Sequence, residues 1–398
     1  GVGAQTARVG AATPHLDRLT AESTSWTQAF TADPAPGPAL TSLLTGRPSA
    51  EHGVVMDGLP LDPAHPELGA WAAQHGISTH WAGAWPIPGR EARAGWSRLI
   101  GGGDDLRTVG VVRAFLGQRS TSRPWLLGVR LDAGASVRQH RGRHGASGVL
   151  ELGLKPEELP LPPKRLTPPD ALPAGFVEAR APSLPSEDNA RQDTWMLARS
   201  LEATDARLGA LVDALAHSAH DARTLLVVVG EHGDAASAWG IQGGSAPLMS
   251  VLKVPLLFRW GTVRTPRSTD VAVSTTCLAG TLCRVLQIPQ LPHAADFDLR
   301  TPVEHADAPV PEAIHCDLMV DGHVVIAKEG TLLSWRSPDG PPAQLARQPD
   351  GEWVAPGEFD GLEALEALRL ARADTLQPAG VHRGGLSGLR AASQAAAQ

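Results

Sequence analysis

The sequence contains no tyrosine and only three cysteines among its 398 residues. Three cysteines cannot form the disulfide framework that holds small secreted domains together, so we expect a fold that depends on a hydrophobic core. Apolar residues make up 42% of the chain, which is enough to build a large core. No apolar run reaches the length that a membrane-spanning helix requires, and we therefore predict no transmembrane segment.

A concentrated positive charge is also lacking. The formal net charge of -7 is spread along the chain, and the densest basic patch is the short stretch 138–144. Proteins that bind nucleic acid carry a basic stripe or face, so the sequence argues against nucleic acid as a partner. The composition, rich in alanine, glycine, proline and arginine, is typical of a GC-rich bacterium. It leaves open which ligand or protein the chain binds.

Local patterns predict alternating helices and strands over the first three quarters of the chain. Thr13 and Pro14 are typical of a helix start. Further helices are predicted over 39–44, 68–75, 193–216 and 273–286, and strands over 77–82, 125–131, 224–229 and 254–260. This alternation favours an α/β fold with a central, mostly parallel sheet covered by helices on both faces.

The last quarter has a different pattern. Strand candidates at 323–327, 332–335 and around Trp353 alternate with Asp-Gly pairs at 321–322, 339–340 and 350–351, which are typical of hairpin turns. A helix is predicted over 362–373. We therefore predict a core domain over 1–305, a small antiparallel sheet with a helix over 306–378 and a flexible tail over 379–398. The proline-rich stretch 155–185 is predicted to be a long surface excursion.

Five sequence blocks, in order, resemble blocks of the sulfatase family in the alkaline phosphatase superfamily. They are ATPHLDRL at 12–19, SLLTGR with EHGV at 42–54, TLLVVVGEHGD at 224–234, KVPLLFRW at 253–260 and VSTTCLAGTL at 273–282. One block alone is weak evidence, but five in the family's order are not expected by chance. The resemblance implies an alkaline phosphatase-like fold over roughly residues 10–340.

The resemblance also implies a particular chemistry. Sulfatases cleave sulfate esters with a modified cysteine at the start of a buried helix. A divalent cation, usually calcium, is held by carboxylate and amide oxygens and polarises the sulfate. Arginine, lysine and histidine side chains stabilise the charge that develops on the sulfuryl oxygens.

Aligned with the family, this chain lacks those reactive groups. The nucleophile position falls on Pro36 and the following arginine position on Leu40. The lysine and histidine positions fall on Ala84 and Pro86, and a further histidine is missing from the stretch that ends at Gly134. Proline offers no nucleophilic atom, and leucine cannot stabilise an oxyanion. The resemblance therefore implies that the scaffold has been kept while the catalytic positions have degenerated.

The metal ligands are the one partial exception. Glu231 and His232 occupy the position of the family's second ligand pair, after the strand predicted at 224–229. The first pair, two aspartates, belongs to a strand before the helix at Pro14, and residues 1–10 contain no carboxylate. We expect no cofactor on this basis. The alternative is a divalent cation such as calcium, held partly by Glu231 and His232.

These observations leave three functional hypotheses. The first is a sulfatase-like protein that has lost sulfuric ester hydrolysis and acts in binding or scaffolding. The second is an active metal-dependent sulfate- or phosphate-ester hydrolase, whose rearranged site is completed by residues upstream of Gly1 and uses a metal-bound water. The third is an inactive subunit that pairs with an active paralogue. The family resemblance implies a periplasmic or extracellular location in each case.

Overall fold

The structure of the chain is a computed structural model. It describes residues 10–88, 96, 98–100, 104–118, 123–132, 186–237, 241, 248–261, 263–305, 307, 309–311, 313–317, 323–327, 332–336, 342–347 and 353–354. Within these ranges, no helix is both long enough and apolar enough to cross a membrane.

Helices and strands alternate through the first 305 residues. The helices are α1 (Pro14–Thr20), α2 (Pro36–Thr45), α3 (Ser49–His52), α4 (Leu68–Gln74), α5 (Asp105–Gln118), α6 (Glu187–Ala216), α7 (Met249–Leu252), α8 (Cys277–Leu286) and α9 (Thr301–Glu304). The strands are β1 (Thr24–Trp26), β2 (Ala29–Phe30), β3 (Ser78–Ala82), β4 (Arg98–Ile100), β5 (Trp125–Val129), β6 (Leu225–Val229), β7 (Leu256–Trp260), β8 (Arg267–Thr269) and β9 (Val273–Ser274).

Most strand pairs of this region are parallel. Strand β3 lies between β4 and β5 and is parallel to both, β1 is parallel to β8, and β2 is parallel to β9. The antiparallel pairs are those that β7 forms with β1 and β6. The predicted α/β class with mostly parallel pairing is confirmed. The described strands of this region form three sheets, in the orders β6-β7-β1-β8, β4-β3-β5 and β2-β9, and β7 makes the four-stranded one a mixed sheet.

Helices cover both faces of the sheet that contains β7, as predicted. Leu257 of β7 packs with Leu16 and Val212, which belong to α1 and α6. Its neighbours in β7 belong to another core cluster, which also contains Leu43 of α2 and Leu278 of α8. Because successive side chains of a strand point to opposite faces, the two groups of helices lie on opposite faces of β7.

Two predicted helix starts are wrong. The helix predicted over 193–216 already begins at Glu187, where Ser186 caps its first turn. The helix predicted over 273–286 begins only at Cys277, because Val273 and Ser274 form β9 and pair with Ala29 and Phe30. An apolar run next to a helix does not reveal a two-residue strand, since such a strand is defined by its partner and not by its own periodicity.

The start of α1 is stabilised by a distant residue. The carboxylate of Asp205, on α6, accepts hydrogen bonds from the backbone N–H groups of His15 at 3.1 Å and Leu16 at 2.7 Å. The first amides of a helix have no partner within the helix, and a carboxylate also suits the positive end of the helix dipole. Asp205 therefore fixes α1 against α6 from the opposite half of the chain.

The last part of the described chain is an antiparallel meander of β10 (Ala313–Asp317), β11 (His323–Ala327), β12 (Leu332–Arg336), β13 (Pro342–Arg347) and β14 (Trp353–Val354). The sequence had predicted β11, β12 and β14, and the structure adds β10 and β13. The three predicted Asp-Gly turns fall between successive strands, although the turn residues themselves lie outside the described ranges.

Hydrogen bonds connect this small sheet to the core. The backbone N–H of Asp317, at the end of β10, donates to the carbonyl of Ala32 at 2.7 Å. Its carboxylate accepts from the Ala50 N–H at 3.0 Å and lies 3.1 Å from the Ser49 hydroxyl. The predicted helix at 362–373, the excursion at 155–185 and the tail at 379–398 lie outside the described residues. The predicted domain boundaries therefore stay predictions.

Gln287, which follows the last residue of α8, allows a test of the left-handed backbone conformation that the structure assigns there. Gln287 has a φ of 56° in the left-handed region, and its side chain is exposed. Because glycine adopts this conformation without strain, we expect Gln287→Gly to raise the free energy of unfolding by about 0.5–1 kcal/mol. The matched control is Gln74→Gly at the exposed, right-handed last residue of α4, which we expect to lower it by about 0.5–1 kcal/mol. Denaturant unfolding measures both changes, and equal signs would contradict the assigned backbone.

Candidate functional site

Four segments meet where β3, β5 and β6 end and α2 begins. They are the first turn of α2, the loop 83–86 after β3, residues 130–132 after β5 and Glu231 after β6. A fifth group, the side chain of Asp57, reaches this place from the loop that follows α3. The carboxyl ends of parallel strands are the usual ligand-binding edge of α/β folds. This edge is therefore the candidate site.

The amino end of α2 carries no nucleophile. Pro36 is its first residue, and Leu40 is buried in the core with 3% of its surface exposed. The N–H of Gly37 donates to the Asp57 carboxylate at 2.7 Å. A helix amino end attracts anions through its unpaired N–H groups and its dipole. Here the anion is supplied by the chain itself.

The loop after β3 brings the predicted degenerate positions next to α2. Ala84 and Pro86 are both half-buried and uncharged. A Cβ placed on Gly37 would lie 3.1 Å from the Asp57 carboxylate and 3.8 Å from the carbonyl oxygen of Pro86. The carbonyl of Pro86 therefore lies next to the start of α2. The fifth such position, Gly134, lies outside the described residues.

Arg130 provides the positive charge of the site. Its guanidinium binds Glu231 in a bidentate manner, with Nε 2.7 Å from one carboxylate oxygen and Nη2 3.0 Å from the other. The side chains are 12% and 21% exposed, so this pair is largely shielded from water. Burial lowers the pKa of the Arg130 guanidinium, but the charge and hydrogen bonds of Glu231, together with the charges of Asp132 and Asp57, raise the pKa above its ordinary value.

Asp132 adds a second negative charge beside Arg130. One of its carboxylate oxygens lies 3.9 Å from Nη1 of Arg130. Its backbone N–H donates to the carboxylate of Asp105, on α5, at 3.1 Å. Burial raises the pKa of the Asp132 carboxyl, and the negative charges of Asp105 and Glu231 act in the same direction against the lowering effect of Arg130. The site is therefore rich in carboxylates and holds them around one guanidinium.

The described residues do not fit a divalent cation at this edge. Both oxygens of Glu231 are bound to Arg130, and Nδ1 of His232 donates to the carbonyl of Gly233 at 2.7 Å. Within the described part of the chain, no cluster of three or more histidine, cysteine or acidic side chains has a metal-binding arrangement. Hard cations such as calcium require six to eight oxygen ligands. Metal binding by Glu231 and His232 stays a prediction.

A buried serine and histidine lie behind the site. Nε2 of His52 is 2.9 Å from the hydroxyl of Ser42, and Nδ1 accepts a hydrogen bond from the N–H of Val54 at 3.1 Å. Since Nδ1 is an acceptor, the neutral ring carries its proton on Nε2 and donates to the serine. A general base would have to accept at that atom. Burial lowers the pKa of His52 to about 3. The pair is therefore a structural contact.

The cysteines are equally unsuited to nucleophilic chemistry. All three, Cys277, Cys283 and Cys316, are buried and free. Cys277 begins α8, but burial raises the pKa of its thiol to about 11. A thiol with that pKa is protonated at neutral pH and is not a nucleophile.

The tryptophans near the site belong mainly to the core. Trp81 and Trp96 are 3% and 4% exposed and pack edge to face. Trp85 packs against Trp81 in the same way and is half-buried. Trp81 and Trp96 are therefore core residues, and Trp239 lies outside the described residues.

Sequence reasoning did not predict Asp57 or Arg130. Arg130 directly follows the apolar strand β5, so the available signal was a charged residue at the carboxyl end of an apolar strand. Asp57 lies in a short exposed loop after α3, and nothing in the local pattern distinguishes it from a solvated carboxylate. Both residues acquire their importance from partners that are far away in the sequence, Glu231 for Arg130 and Gly37 for Asp57.

Comparisons with known proteins gave a family match over part of the chain and a wider match of fold. A family model for the sulfatases matches residues 4–106. No curated protein matches the chain.

Solved structures give the wider match. A candidate sulfatase from Bacteroides thetaiotaomicron is 15% identical, has a TM-score of 0.72, and covers 92% of this chain and 87% of its own. The phosphonate monoester hydrolase from Silicibacter pomeroyi is 16% identical, with a TM-score of 0.66 and coverages of 94% and 92%. That of Agrobacterium radiobacter is 15% identical, with a TM-score of 0.68 and coverages of 92% and 90%.

At these identities the structural matches show the fold and nothing of the activity. The family match over residues 4–106 and the shared fold confirm the resemblance found in the sequence: the described chain has the fold of solved sulfatases and phosphonate monoester hydrolases.

Proposed function

We propose that this chain is a non-hydrolytic sulfatase-like protein with a binding or scaffolding role. The observation that carries the proposal is the amino end of α2. A proline, Pro36, stands where the resemblance puts the nucleophile, and the Gly37 N–H is bound by the chain's own carboxylate, Asp57. A sulfate or phosphate ester would have to displace that carboxylate to approach the helix.

The charges around this helix end support the same conclusion. Among the described residues, Asp132 and Glu231 lie beside the cation Arg130, and the negative charge of Asp57 also acts on it. An anionic ester entering this place would meet an excess of negative charge from these residues. Arg130 is already bound to Glu231 and is therefore not free to stabilise the transition state of ester cleavage. Removing one such stabilising group alone typically costs a factor of about 100 to 1,000 in rate.

The test is a direct assay of ester hydrolysis. We expect the purified chain to release no p-nitrophenol above background from p-nitrophenyl sulfate, p-nitrophenyl phosphate or p-nitrophenyl phenylphosphonate, with or without added calcium, magnesium or manganese. The matched control is Glu231→Ala, which should give the same background. Turnover that requires a metal ion and is lost in Glu231→Ala would refute the proposal.

The competing function is metal-dependent hydrolysis of a sulfate, phosphate or phosphonate ester. Its support is the position of Glu231 and His232 after β6, together with the fold shared with the phosphonate monoester hydrolases. It requires further ligands from residues that the structure does not describe, and a Glu231 released from Arg130. The assay above separates the two functions. The family resemblance also leads us to propose a periplasmic or extracellular location.

A further inference from the structure

Besides Pro36 at the predicted nucleophile position, the most informative feature of the site is its cation, Arg130. We infer that the guanidinium of Arg130 takes the place of the divalent cation expected from the fold, and that Arg130 is a positioning residue that holds the ends of β5 and β6 together. The inference concerns the same site as the proposed function but rests on a different observation, the surroundings of Arg130.

The geometry places three carboxylates around this one guanidinium. Glu231 is bound at two points, at 2.7 and 3.0 Å, and an oxygen of Asp132 lies 3.9 Å from Nη1. The negative charge of Asp57 also acts on Arg130. Carboxylates from several segments around one positive centre are what a hard cation requires of a protein. Here the positive centre is the guanidinium of Arg130, which is part of the chain itself.

Backbone contacts fix the position of Arg130 at the end of β5. Its N–H donates to the carbonyl of Ala82, at the end of β3, at 2.9 Å. Its own carbonyl oxygen lies only 2.1 Å from the point where a Cβ on Gly83 would stand, so only glycine permits this approach. Arginine suits such a role because its charge is permanent and its planar fork matches both oxygens of a carboxylate.

The parent chain provides the first arm of the experiment. We expect elemental analysis of the protein, purified without chelator, to find less than stoichiometric calcium, magnesium, manganese and zinc. We also expect the Tm to be unchanged by EDTA. A stoichiometric cation, or a Tm that falls in EDTA, would overturn the inference.

The second arm removes the guanidinium. Arg130→Met leaves the carboxylates without a cation, and we expect the Tm to fall by about 5 °C or more because an unpaired, shielded charge remains. We further expect calcium or magnesium at about 10 mM to recover a large part of that loss, since a ligand that binds only the folded state stabilises it. A Tm that does not respond to either cation would overturn the inference.

Two further variants make the result specific. In the double variant Arg130→Met/Glu231→Gln the negative charge is removed as well, so the Tm should exceed that of Arg130→Met and the cation response should vanish. Arg264→Met is the matched control, because Arg264 pairs with Glu22 and Asp221 away from the site. It should show no cation response, and a response equal to that of Arg130→Met would overturn the inference.

The arms also remain informative if Arg130→Met does not fold. The double variant should then fold, because the unpaired charge is gone, and its failure to fold would show that packing and not charge is responsible. Failure of the inference is distinct from failure of the proposed function. A metal-free chain that hydrolyses an ester refutes only the proposed function. An inactive chain whose Arg130→Met variant ignores divalent cations refutes only the inference.

Discussion

Replacing Gly83 by alanine is expected to lower the free energy of unfolding by at least about 3 kcal/mol. Gly83 has a φ of 101°, a conformation that side-chain-bearing residues rarely adopt. A Cβ would also stand 2.1 Å from the carbonyl oxygen of Arg130, a backbone atom that cannot rotate away. Either the loop after β3 or the end of β5 has to move, and both carry the candidate site.

Gly76→Ala separates the two causes. Gly76 has a similarly positive φ of 83°, but no atom lies within 4 Å of its added Cβ. We therefore expect only the backbone strain, a loss of about 1 kcal/mol. Denaturant unfolding of both variants measures the difference. If Gly83→Ala costs no more than Gly76→Ala, the close approach of β3 and β5 at Arg130 is wrong.

The buried His52 is expected to make the chain sensitive to acid. Burial lowers the pKa of His52 from 6.5 to about 3 in the folded state, helped by the positive charges of His65 and Arg47 and opposed by Asp317. Between pH 6.5 and about 3 the unfolded chain binds a proton that the folded chain does not. The stability that His52 contributes is thus complete above pH 6.5 and decreases as the pH falls, by about 1.4 kcal/mol per unit, or about 2–3 kcal/mol at pH 4.5.

The contribution of His52 can be isolated by substitution. In His52→Gln the titrating ring is absent, so the plot of unfolding free energy against pH should be flatter by up to about 1.4 kcal/mol per unit between pH 6 and 4. The variant should also be less stable at pH 7, because the ring packs with 1% exposure and bonds Ser42 and Val54. The control His217→Gln, at an exposed position, should keep the slope of the parent chain. An unchanged slope in His52→Gln would show that other groups cause the acid sensitivity.

Regular elements were largely predictable from the sequence because their signals are local. Gly46 and Gly76 mark the ends of α2 and α4, and both have the positive φ that such ends require. The apolar run at 224–229 became β6, and the periodic leucines at 193–216 fall within α6. The helix start predicted at Val273 was wrong because its signal is not local. Strand β9 is defined by its pairing with β2, which the sequence around Val273 does not reveal.

The candidate site was predictable only in part. The sequence alone determined that Pro36, Leu40, Ala84 and Pro86 carry no nucleophile or cation, and the resemblance predicts that these are the family's reactive positions. Only the tertiary structure decided what occupies the place instead. Asp57 binds the start of α2, Arg130 binds Glu231, and Asp205 binds the start of α1. Each contact joins a charge to a partner between 20 and 189 residues away. Local periodicity carries no information on contacts between residues so far apart in the sequence. These partners come together only when the chain folds.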